Sequence, residues 1–283
     1  MSRNLAVLAI MGISMFPIIG ASQSKIDVAS QLTTESAGKS SKSAMKSVVR
    51  VQCPTTDRSG TGFLHKSGCV ITAAHVVKGA EQALIFVLPP SGEKIEIAKC
   101  IVNEQFDLAL LFPKKAINAS ALEISGKSTS SFSIGSQVCS WGYPAGYSGL
   151  DPLLIVGYLS GTDKIDRPSG KPEWVMVVNA AFNSGNSGGP VISIEDNKVI
   201  GVVSSKLAPI PESVTSAIEA LSNTKFGLNY TQKNSDGSET IIMEGQVVAM
   251  VLKYLREQTQ LVVGHAVTAE DIRAFLKAQK IEY

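Results

Sequence analysis

The apolar residues of this 283-residue chain come mostly in short runs that glycine, proline and serine interrupt. Runs of three to eight residues suit strands and are too short for ordinary helices. They are Val48–Val51, Gly62–Leu64, Val70–Thr72, Leu84–Leu88, Ile95–Val102, Leu108–Phe112, Gln137–Trp141, Leu153–Leu159, Trp174–Val178, Val191–Ile194 and Val199–Ser204. Many short strands joined by closely spaced turns predict an all-β fold, either barrels or a sandwich.

After residue 206 the apolar residues adopt helical spacing instead. Two segments, Glu212–Leu221 and Gly245–Arg256, repeat apolar residues every three or four positions, which predicts two helices. Thr268 followed by Asp271 resembles a capping box with Asp in place of the usual Glu or Gln, and it predicts a third helix. The polar segment 231–240 predicts an exposed loop or a hairpin tip.

Composition excludes several classes of protein. Hydrophobic residues make up 44% of the chain and charged residues 18%, so the chain can form a packed core and is not globally disordered. A formal net charge of +2 is too small to indicate a nucleic acid or an acidic membrane as partner. The four cysteines form no CxxC pair, which favours buried thiols or one structural disulfide over a metal site. We expect neither a cofactor nor a bound metal.

The first residues have the pattern of a secretory signal peptide. Arg3 is followed by an apolar run from Leu5 to Ile19 and then by small residues up to Ser22. The run is shorter than the roughly 20 residues that a membrane-spanning helix needs, although an uncleaved anchor is the alternative. We therefore expect residues 1–22 to be a signal peptide, the protein to be secreted or periplasmic, and no membrane span to remain after cleavage. Residues 23–46, rich in Ser, Thr and Lys, predict a flexible linker.

The segment Asn183–Pro190 contains three glycines and small polar residues around Ser187. Such a segment predicts a tight bend, because glycine permits backbone conformations and close approaches that side chains forbid. Successive backbone N–H groups at a bend can converge on one anion, and acyl transfer needs such donors beside its nucleophile. The alternative interpretation is an ordinary Ser/Gly-rich turn.

Two further residues complete a candidate catalytic set. His75, one of only three histidines, ends an apolar strand, and an imidazole is the usual base for a serine nucleophile. Asp107 stands at the head of the apolar strand Leu108–Phe112, where a buried carboxylate needs a partner such as an imidazole N–H. Taken singly, the alternatives are a core or surface histidine and a solvent-facing aspartate. Together with Ser187, the two residues predict a Ser-His-Asp triad.

The motifs around these residues resemble those of the chymotrypsin-fold serine proteases, and particularly of the bacterial HtrA/Deg peptidases. They are Thr72-Ala-Ala-His75, Asp107-Leu-Ala-Leu110 and Gly185-Asn-Ser-Gly-Gly-Pro190, with Gly60-Thr-Gly-Phe63 and Gly142-Tyr-Pro-Ala-Gly146 in support. The resemblance covers residues 46–206 and 262–278. It implies two six-stranded antiparallel β-barrels of chymotrypsin type with a few C-terminal helices. HtrA proteins typically carry a PDZ domain after the protease, but residues 279–283 leave no room for one, so we expect none.

The resemblance implies a role for each site residue. Ser187 would attack the scissile carbonyl, His75 would accept and return the proton, and Asp107 would orient His75. The backbone N–H groups of Gly185 and Ser187 would form the oxyanion hole. Ser204 matches the serine that supports the triad aspartate in this family.

The specificity pocket follows from the same resemblance and comprises Ala181, Phe182 and Ser205. Ala181 matches the pocket floor, where cleavage after Lys or Arg would require a carboxylate, so we expect cleavage after small or medium apolar residues.

The sequence departs from the family pattern at two positions that matter here. Asn186 replaces the aspartate that pairs with a newly cut N-terminus in the animal enzymes, so activation by that route is not expected. Val76 replaces a disulfide-forming cysteine, so the resemblance assigns no disulfide pairing.

These observations predict a protease domain over 47–283. It would contain a first barrel at about 47–125 and a second barrel at about 131–206. A helical insertion at about 207–261 and a closing strand and helix at 262–278 would follow. The insertion is either a structural cover or a regulatory or substrate-facing element. The predicted function is a serine endopeptidase that acts on polypeptides, not nucleic acids, with its oligomeric state left open. A catalytically silent peptide-binding protein on the same fold is the alternative. An α/β-hydrolase esterase is disfavoured because the serine motif is not GxSxG.

Overall fold

The computed structural model describes residues 44–166, 172–206, 212–233, 237–258 and 262–283. The predicted signal peptide and nearly all of the predicted linker lie outside these ranges. Ala44 and Met45 are buried and pack in the same apolar cluster as Val48. The packed domain therefore already includes residue 44, and the linker end predicted at residue 46 is too late.

The first six strands close into an antiparallel barrel in the order β1-β2-β3-β6-β5-β4. They are β1 (Val48–Cys53), β2 (Arg58–Leu64), β3 (Val70–Ala73), β4 (Phe86–Leu88), β5 (Ile95–Asn103) and β6 (Leu108–Pro113). A four-residue helix, α1 (Ala74–Val77), follows β3 at the rim of the barrel. This helix and the start of β6 carry the residues that concern the candidate site.

A second closed antiparallel barrel has the order β10-β11-β14-β9-β8-β7. Its strands are β7 (Gln137–Gly142), β8 (Leu153–Asp166), β9 (Pro172–Asn179), β10 (Pro190–Ser193), β11 (Val199–Lys206) and β14 (Gly264–Thr268). Strand β14 comes from the far end of the chain and pairs with both β9 and β11. The two barrels confirm the predicted all-β fold class.

The unbroken apolar runs in the sequence arise because several strands are buried on both faces. On β6, Ala109 and Leu111 belong to the core of the first barrel, whereas Leu108 and Leu110 belong to a second cluster that also holds Trp141 of β7. Alternate residues of a strand point to opposite faces. One face of β6 therefore fills its own barrel and the other packs against the second barrel, which leaves no polar positions on this stretch.

Residues after β11 form a helix, a hairpin and a second helix. These are α2 (Glu212–Ser222), β12 (Asn229–Lys233), β13 (Glu239–Met243) and α3 (Glu244–Gln258). Both predicted helices are present, and the segment predicted as an exposed loop or hairpin tip includes parts of both strands of the β12–β13 hairpin. Ile218 of α2 and Ala249 of α3 are buried, whereas Phe226 of the intervening loop is 87% exposed.

The last helix, α4 (Ala269–Ala278), holds the end of the chain against the barrels. Thr268 caps it, because its hydroxyl accepts a hydrogen bond from the Asp271 N–H at 3.2 Å and donates to the Asp271 carboxylate at 2.6 Å. The helix predicted from Thr268 and Asp271 is therefore present, with Thr268 as its N-cap. Glu270 accepts hydrogen bonds from the Thr129 backbone and hydroxyl, which ties α4 to the segment between the barrels. The apolar face of α4 is buried and consists of Ala269, Ile272, Phe275 and Leu276.

All four cysteines are free thiols. Burial raises the pKa of Cys53 and of Cys139 to about 11, so both are protonated at neutral pH and are poor nucleophiles. Within the described ranges, no three His, Cys, Asp or Glu side chains are grouped as metal ligands. None of the described helices is long and apolar enough to cross a membrane.

His65 lies in the turn between β2 and β3 and is only 2% exposed. Its Nδ1 atom accepts a hydrogen bond from the Ser67 backbone N–H at 3.3 Å, so this nitrogen must carry a lone pair rather than a proton. Burial, together with the charge of neighbouring Lys66, lowers the pKa of His65 to about 4. The folded protein therefore holds a neutral imidazole at a pH where the unfolded chain is already protonated.

The stability of the protein should fall as the pH drops through the interval between the two pKa values of His65. The unfolded chain binds the proton near pH 6.5 and the folded chain only near pH 4, so unfolding is favoured within that window. Relative to His65→Asn, which keeps an acceptor near the Ser67 N–H, the wild type should lose about 3 kcal/mol of unfolding free energy between pH 6.5 and pH 4. Urea unfolding at a series of pH values measures this difference, and parallel curves for the two proteins would contradict it.

Candidate active site

Asp107 and His75 meet where β6 begins and α1 follows β3. Asp107 has a left-handed backbone (φ 55°), which Asp tolerates better than most residues. This conformation directs both its backbone carbonyl and its carboxylate at α1, where they accept the N–H groups of Ala74 and His75, each at 3.0 Å. The two carboxylate oxygens also lie 3.0 and 2.9 Å from His75 Nδ1. A proton on Nδ1 leaves Nε2 with its lone pair free to accept another proton.

Ser204, on β11 of the second barrel, gives the Asp107 carboxylate a further donor. Its hydroxyl donates to Asp107 Oδ2 at 2.6 Å. Burial alone would raise the pKa of Asp107, but the hydrogen bonds from His75 and Ser204 and the attraction of the His75 charge outweigh it and lower that pKa. The carboxylate is therefore ionised at neutral pH and can stabilise a positive charge that forms on the imidazole.

Ser187 lies in the bend between β9 and β10 that the glycine pattern predicts. Gly185 and Gly188 have φ values of +89° and +86°. A Cβ atom at Gly185 would lie 2.3 Å from the Tyr143 carbonyl oxygen, so only glycine fits there without a backbone shift. The Ser187 hydroxyl donates to the Ser204 carbonyl at 3.4 Å, and the described hydrogen bonds do not include one between Ser187 and His75. Ser204 thus contacts two of the candidate residues, Asp107 through its side chain and Ser187 through its backbone.

The N–H groups of Gly185 and Ser187 belong to peptides whose carbonyl groups are hydrogen-bonded to other parts of the chain. The Ser184 carbonyl accepts the Ala145 N–H at 2.7 Å, and the Asn186 carbonyl accepts the Gly189 N–H at 2.9 Å. A trans peptide directs its N–H opposite to its carbonyl. The N–H groups of Gly185 and Ser187 therefore point away from Ala145 and Gly189, respectively. Neither N–H donates to another group in the described part of the chain. Both are available to a negatively charged oxygen.

The residues predicted to line the specificity pocket occupy different environments. Ala181 is partly exposed in the loop after β9, whereas Phe182 is buried in the core of the second barrel with Met176. Ser205 pairs with His265 across β11 and β14, and its side chain lies outside the described structure. His265, to which the sequence pattern assigned no role, is buried, and its Nε2 lies 3.5 Å from an Asp163 carboxylate oxygen.

Thr61, which has no predicted role, is in direct contact with the serine bend. Its N–H donates to the Ser187 carbonyl at 2.8 Å, and its hydroxyl donates to the Gly185 carbonyl at 2.6 Å. The only sequence signal was the match of Gly60-Thr-Gly-Phe63 to the protease pattern, which does not distinguish a packing residue from a site residue.

Comparison with known proteins identifies the family. A family model described as the trypsin-like peptidase domain matches residues 60–202, which is half of the chain. The chain belongs to the trypsin-like peptidase family. The matched range includes Thr61, His75, Asp107 and Ser187.

Relatives of the trypsin-like peptidase include proteases of the HtrA type. The chain is 34% identical over 152 residues to the serine protease Do-like HtrB of Bacillus subtilis, covering 49% of this chain and 30% of that protein. It is 30% identical over 158 residues to the mitochondrial serine protease HTRA2 of Drosophila grimshawi, covering 54% of this chain and 35% of that protein. The chain thus spans about a third of the length of these relatives.

A solved structure supports the fold of the trypsin-like peptidase at greater evolutionary distance. The inactive form of the Rv3671c protease, from M. tuberculosis, aligns with a TM-score of 0.55 and 19% sequence identity. The alignment covers 85% of this chain and 92% of that one. At this identity the likeness concerns the arrangement of the two barrels rather than the chemistry.

Gly185→Ala should destabilise the protein by more than about 2 kcal/mol, because it combines a positive φ with a clash against the Tyr143 carbonyl. Gly126→Ala is a matched control, since a Cβ atom there meets nothing within 4 Å. The control should change the free energy of unfolding by no more than about 0.5 kcal/mol. Urea unfolding of both variants measures the difference, and equal effects would argue against a bend that requires glycine at residue 185.

Proposed function

We propose that this trypsin-like peptidase is a serine endopeptidase with Ser187 as nucleophile, His75 as general base and acid, and Asp107 as the residue that orients His75. One bend carries a serine hydroxyl and two unengaged N–H groups, those of Gly185 and Ser187, and Ser204 links this bend to the ionised Asp107 carboxylate. Asp107 in turn contacts His75 Nδ1, and this combination is the observation that carries the proposal. Acyl transfer needs a nucleophile, a base and donors for the developing oxyanion.

Acylation begins when Ser187 Oγ attacks the carbonyl carbon of the scissile peptide bond. A new C–O bond forms, the hydroxyl proton moves to His75 Nε2, and the carbonyl electron pair moves onto oxygen, facing the N–H groups of Gly185 and Ser187. The Asp107 carboxylate stabilises the imidazolium so formed through His75 Nδ1–H. The intermediate collapses when the C–N bond breaks and His75 gives its proton to the leaving amine, which leaves an ester on Ser187.

Deacylation repeats these steps with water as the nucleophile. His75 takes a proton from water, the hydroxide oxygen bonds to the ester carbon, and the second tetrahedral intermediate expels Ser187 Oγ, which recovers its proton from His75. The products are a carboxylic acid and the free enzyme. The proposed site residues are therefore His75, Asp107 and Ser187, with Gly185 and Ser187 as oxyanion donors and Ser204 as support for Asp107.

A second candidate is a catalytically silent protein that binds peptides on the same fold. The observation in its favour is that the Ser187 hydroxyl donates to the Ser204 carbonyl instead of His75. That bond is long for an O–H donor at 3.4 Å, so a rotation of the Ser187 side chain toward His75 breaks only a weak contact. Catalytic contacts are often loose in the absence of substrate and tighten in the complex. We therefore prefer the active enzyme.

The proposal extends to substrate and location. We propose polypeptide substrates cleaved after small or medium apolar residues, in a pocket formed by Ala181, Phe182 and Ser205 without a carboxylate. The apolar start of the chain supports removal of residues 1–22 as a signal peptide and export to the periplasm or the exterior. The mature protease domain would then comprise residues 47–283 or begin slightly earlier, as the burial of Ala44 indicates.

Ser187→Ala tests the main proposal. A fluorophosphonate probe should label the wild-type protein and leave the variant unlabelled, because the probe requires an activated serine hydroxyl. On casein the variant should lose about 10⁶-fold in kcat, since triad members act as a unit. Labelling of both proteins would assign the reaction to another residue. Labelling of neither, in a folded protein, would favour the silent binding protein.

Peptide-library profiling tests the specificity, with Ala181→Asp as a matched variant. The wild type should prefer alanine, valine or residues of similar size at the cleaved position, and discrimination should be modest at about 1–3 kcal/mol per methylene. Ala181→Asp should shift the preference toward lysine and arginine, because it adds a carboxylate at the proposed pocket floor. A wild type that already prefers basic residues would contradict the assignment of Ala181.

A further inference from the structure

Thr61 is a fully buried residue of the first barrel that contacts the candidate oxyanion hole of the second. It lies in the middle of β2, opposite Arg50 of β1. Its hydroxyl donates to the Gly185 carbonyl at 2.6 Å and accepts the Tyr143 N–H at 3.0 Å, while its own N–H donates to the Ser187 carbonyl at 2.8 Å. One threonine thus forms three hydrogen bonds across the interface between the barrels.

These contacts act on the peptide planes on either side of Gly185. The plane between Ser184 and Gly185 is held by the Ala145 N–H, which binds the Ser184 carbonyl at 2.7 Å. The next plane, between Gly185 and Asn186, is held by the Thr61 hydroxyl. Two fixed planes determine the φ and ψ angles of the glycine between them, and hence the orientation of its N–H relative to the rest of the bend, including Ser187. Glycine needs this external restraint more than other residues, because its intrinsic conformational freedom is the largest.

The Thr61 hydroxyl also joins the two segments that hold these planes. By accepting the Tyr143 N–H, it links the Gly185 carbonyl to the segment that includes Ala145. Loss of the hydroxyl would leave the Gly185 carbonyl and the Tyr143 N–H without this buried partner. Buried polar groups without partners are costly, and a rotation of the Gly185–Asn186 peptide is one way to relieve that cost.

We infer that Thr61 is a positioning residue for catalysis, whose hydroxyl holds the Gly185 N–H in the orientation relative to Ser187 that an oxyanion requires. The inference rests on the proposed function for its kinetic consequence, but the restraint on the bend is a property of the folded chain itself. Thr61 does not touch the reacting atoms and acts through Gly185.

Thr61→Val removes the hydroxyl and keeps the shape of the side chain. It should lower kcat by about 10- to 100-fold, less than the 10²- to 10³-fold expected for removal of an oxyanion donor, and change KM by less than about threefold. The affinity of a peptide aldehyde, which forms a tetrahedral adduct, should weaken in parallel with kcat. The affinity of a cleaved product peptide should not change. Thr61→Ser keeps the hydroxyl and should retain kcat within about threefold.

Thr268→Val is the matched control for a purely structural effect. Thr268 is also a buried threonine, and its hydroxyl donates at 2.6 Å to the Asp271 carboxylate at the start of α4. Its removal should lower the thermal stability about as much as Thr61→Val while leaving kcat within about threefold of wild type. An equal loss of kcat in Thr268→Val, an unchanged kcat in Thr61→Val, or a loss in Thr61→Ser as large as in Thr61→Val would each overturn the inference.

Amide hydrogen exchange separates this inference from the proposed function. Exchange of the segment 183–189 should accelerate at least about tenfold in Thr61→Val and stay near wild type in Thr61→Ser and Thr268→Val. If the wild type neither hydrolyses casein nor reacts with a fluorophosphonate, the proposed function fails, and exchange alone decides whether Thr61 restrains the bend.

Should Thr61→Val not fold, Thr61→Cys, with a weaker donor, replaces it in both measurements. Wild-type exchange and kcat in Thr61→Cys would then contradict the inference.

Discussion

The arrangement of the site depends on one buried charge, the carboxylate of Asp107, at the junction of the two barrels. Removing an ionised carboxylate from water costs several kcal/mol unless donors replace the lost solvent. Here the His75 backbone N–H, His75 Nδ1 and the Ser204 hydroxyl supply three donors. Two belong to the first barrel and one to the second. The carboxylate can receive all three hydrogen bonds only when both barrels are correctly assembled. The geometry of the site therefore depends on the assembly of the whole fold.

The double burial of the central strands supports this coupling. Strand β6, which starts beside Asp107, fills its own barrel with Ala109 and Leu111 and contacts the other barrel's cluster with Leu108 and Leu110. Apolar packing of this kind fixes position to a fraction of an ångström, because protein interiors are as dense as organic crystals. The polar contacts of Asp107 and Thr61 are thereby set by a non-polar interface, and neither has to be held by a flexible loop alone.

Features that depend on residues close together in the sequence could be predicted, and features that depend on distant contacts could not. His75, Asp107 and Ser187 stand in local motifs whose residue types are required by the chemistry, and runs such as Leu108–Phe112 carry the strand signal directly. Thr61 could not be found in this way, since its role arises from contacts with Gly185 and Tyr143, more than eighty residues away in sequence. The state of the cysteines is likewise a tertiary property. Spacing left thiols and a disulfide both open, and the structure has four thiols.

The backbone donors of the site are held rigidly, whereas the Ser187 side chain can rotate. The N–H groups of Gly185 and Ser187 are fixed by backbone bonds to Ala145 and Gly189 and by glycine conformations that other residues resist. In contrast, the Ser187 hydroxyl is set by one side-chain torsion and a 3.4 Å contact to Ser204. Rotation about such a torsion is fast compared with turnover. Electrostatic preorganisation is usually the largest part of catalysis. The proposed reaction therefore needs the backbone donors in place before substrate arrives, whereas the Ser187 hydroxyl can engage His75 afterwards.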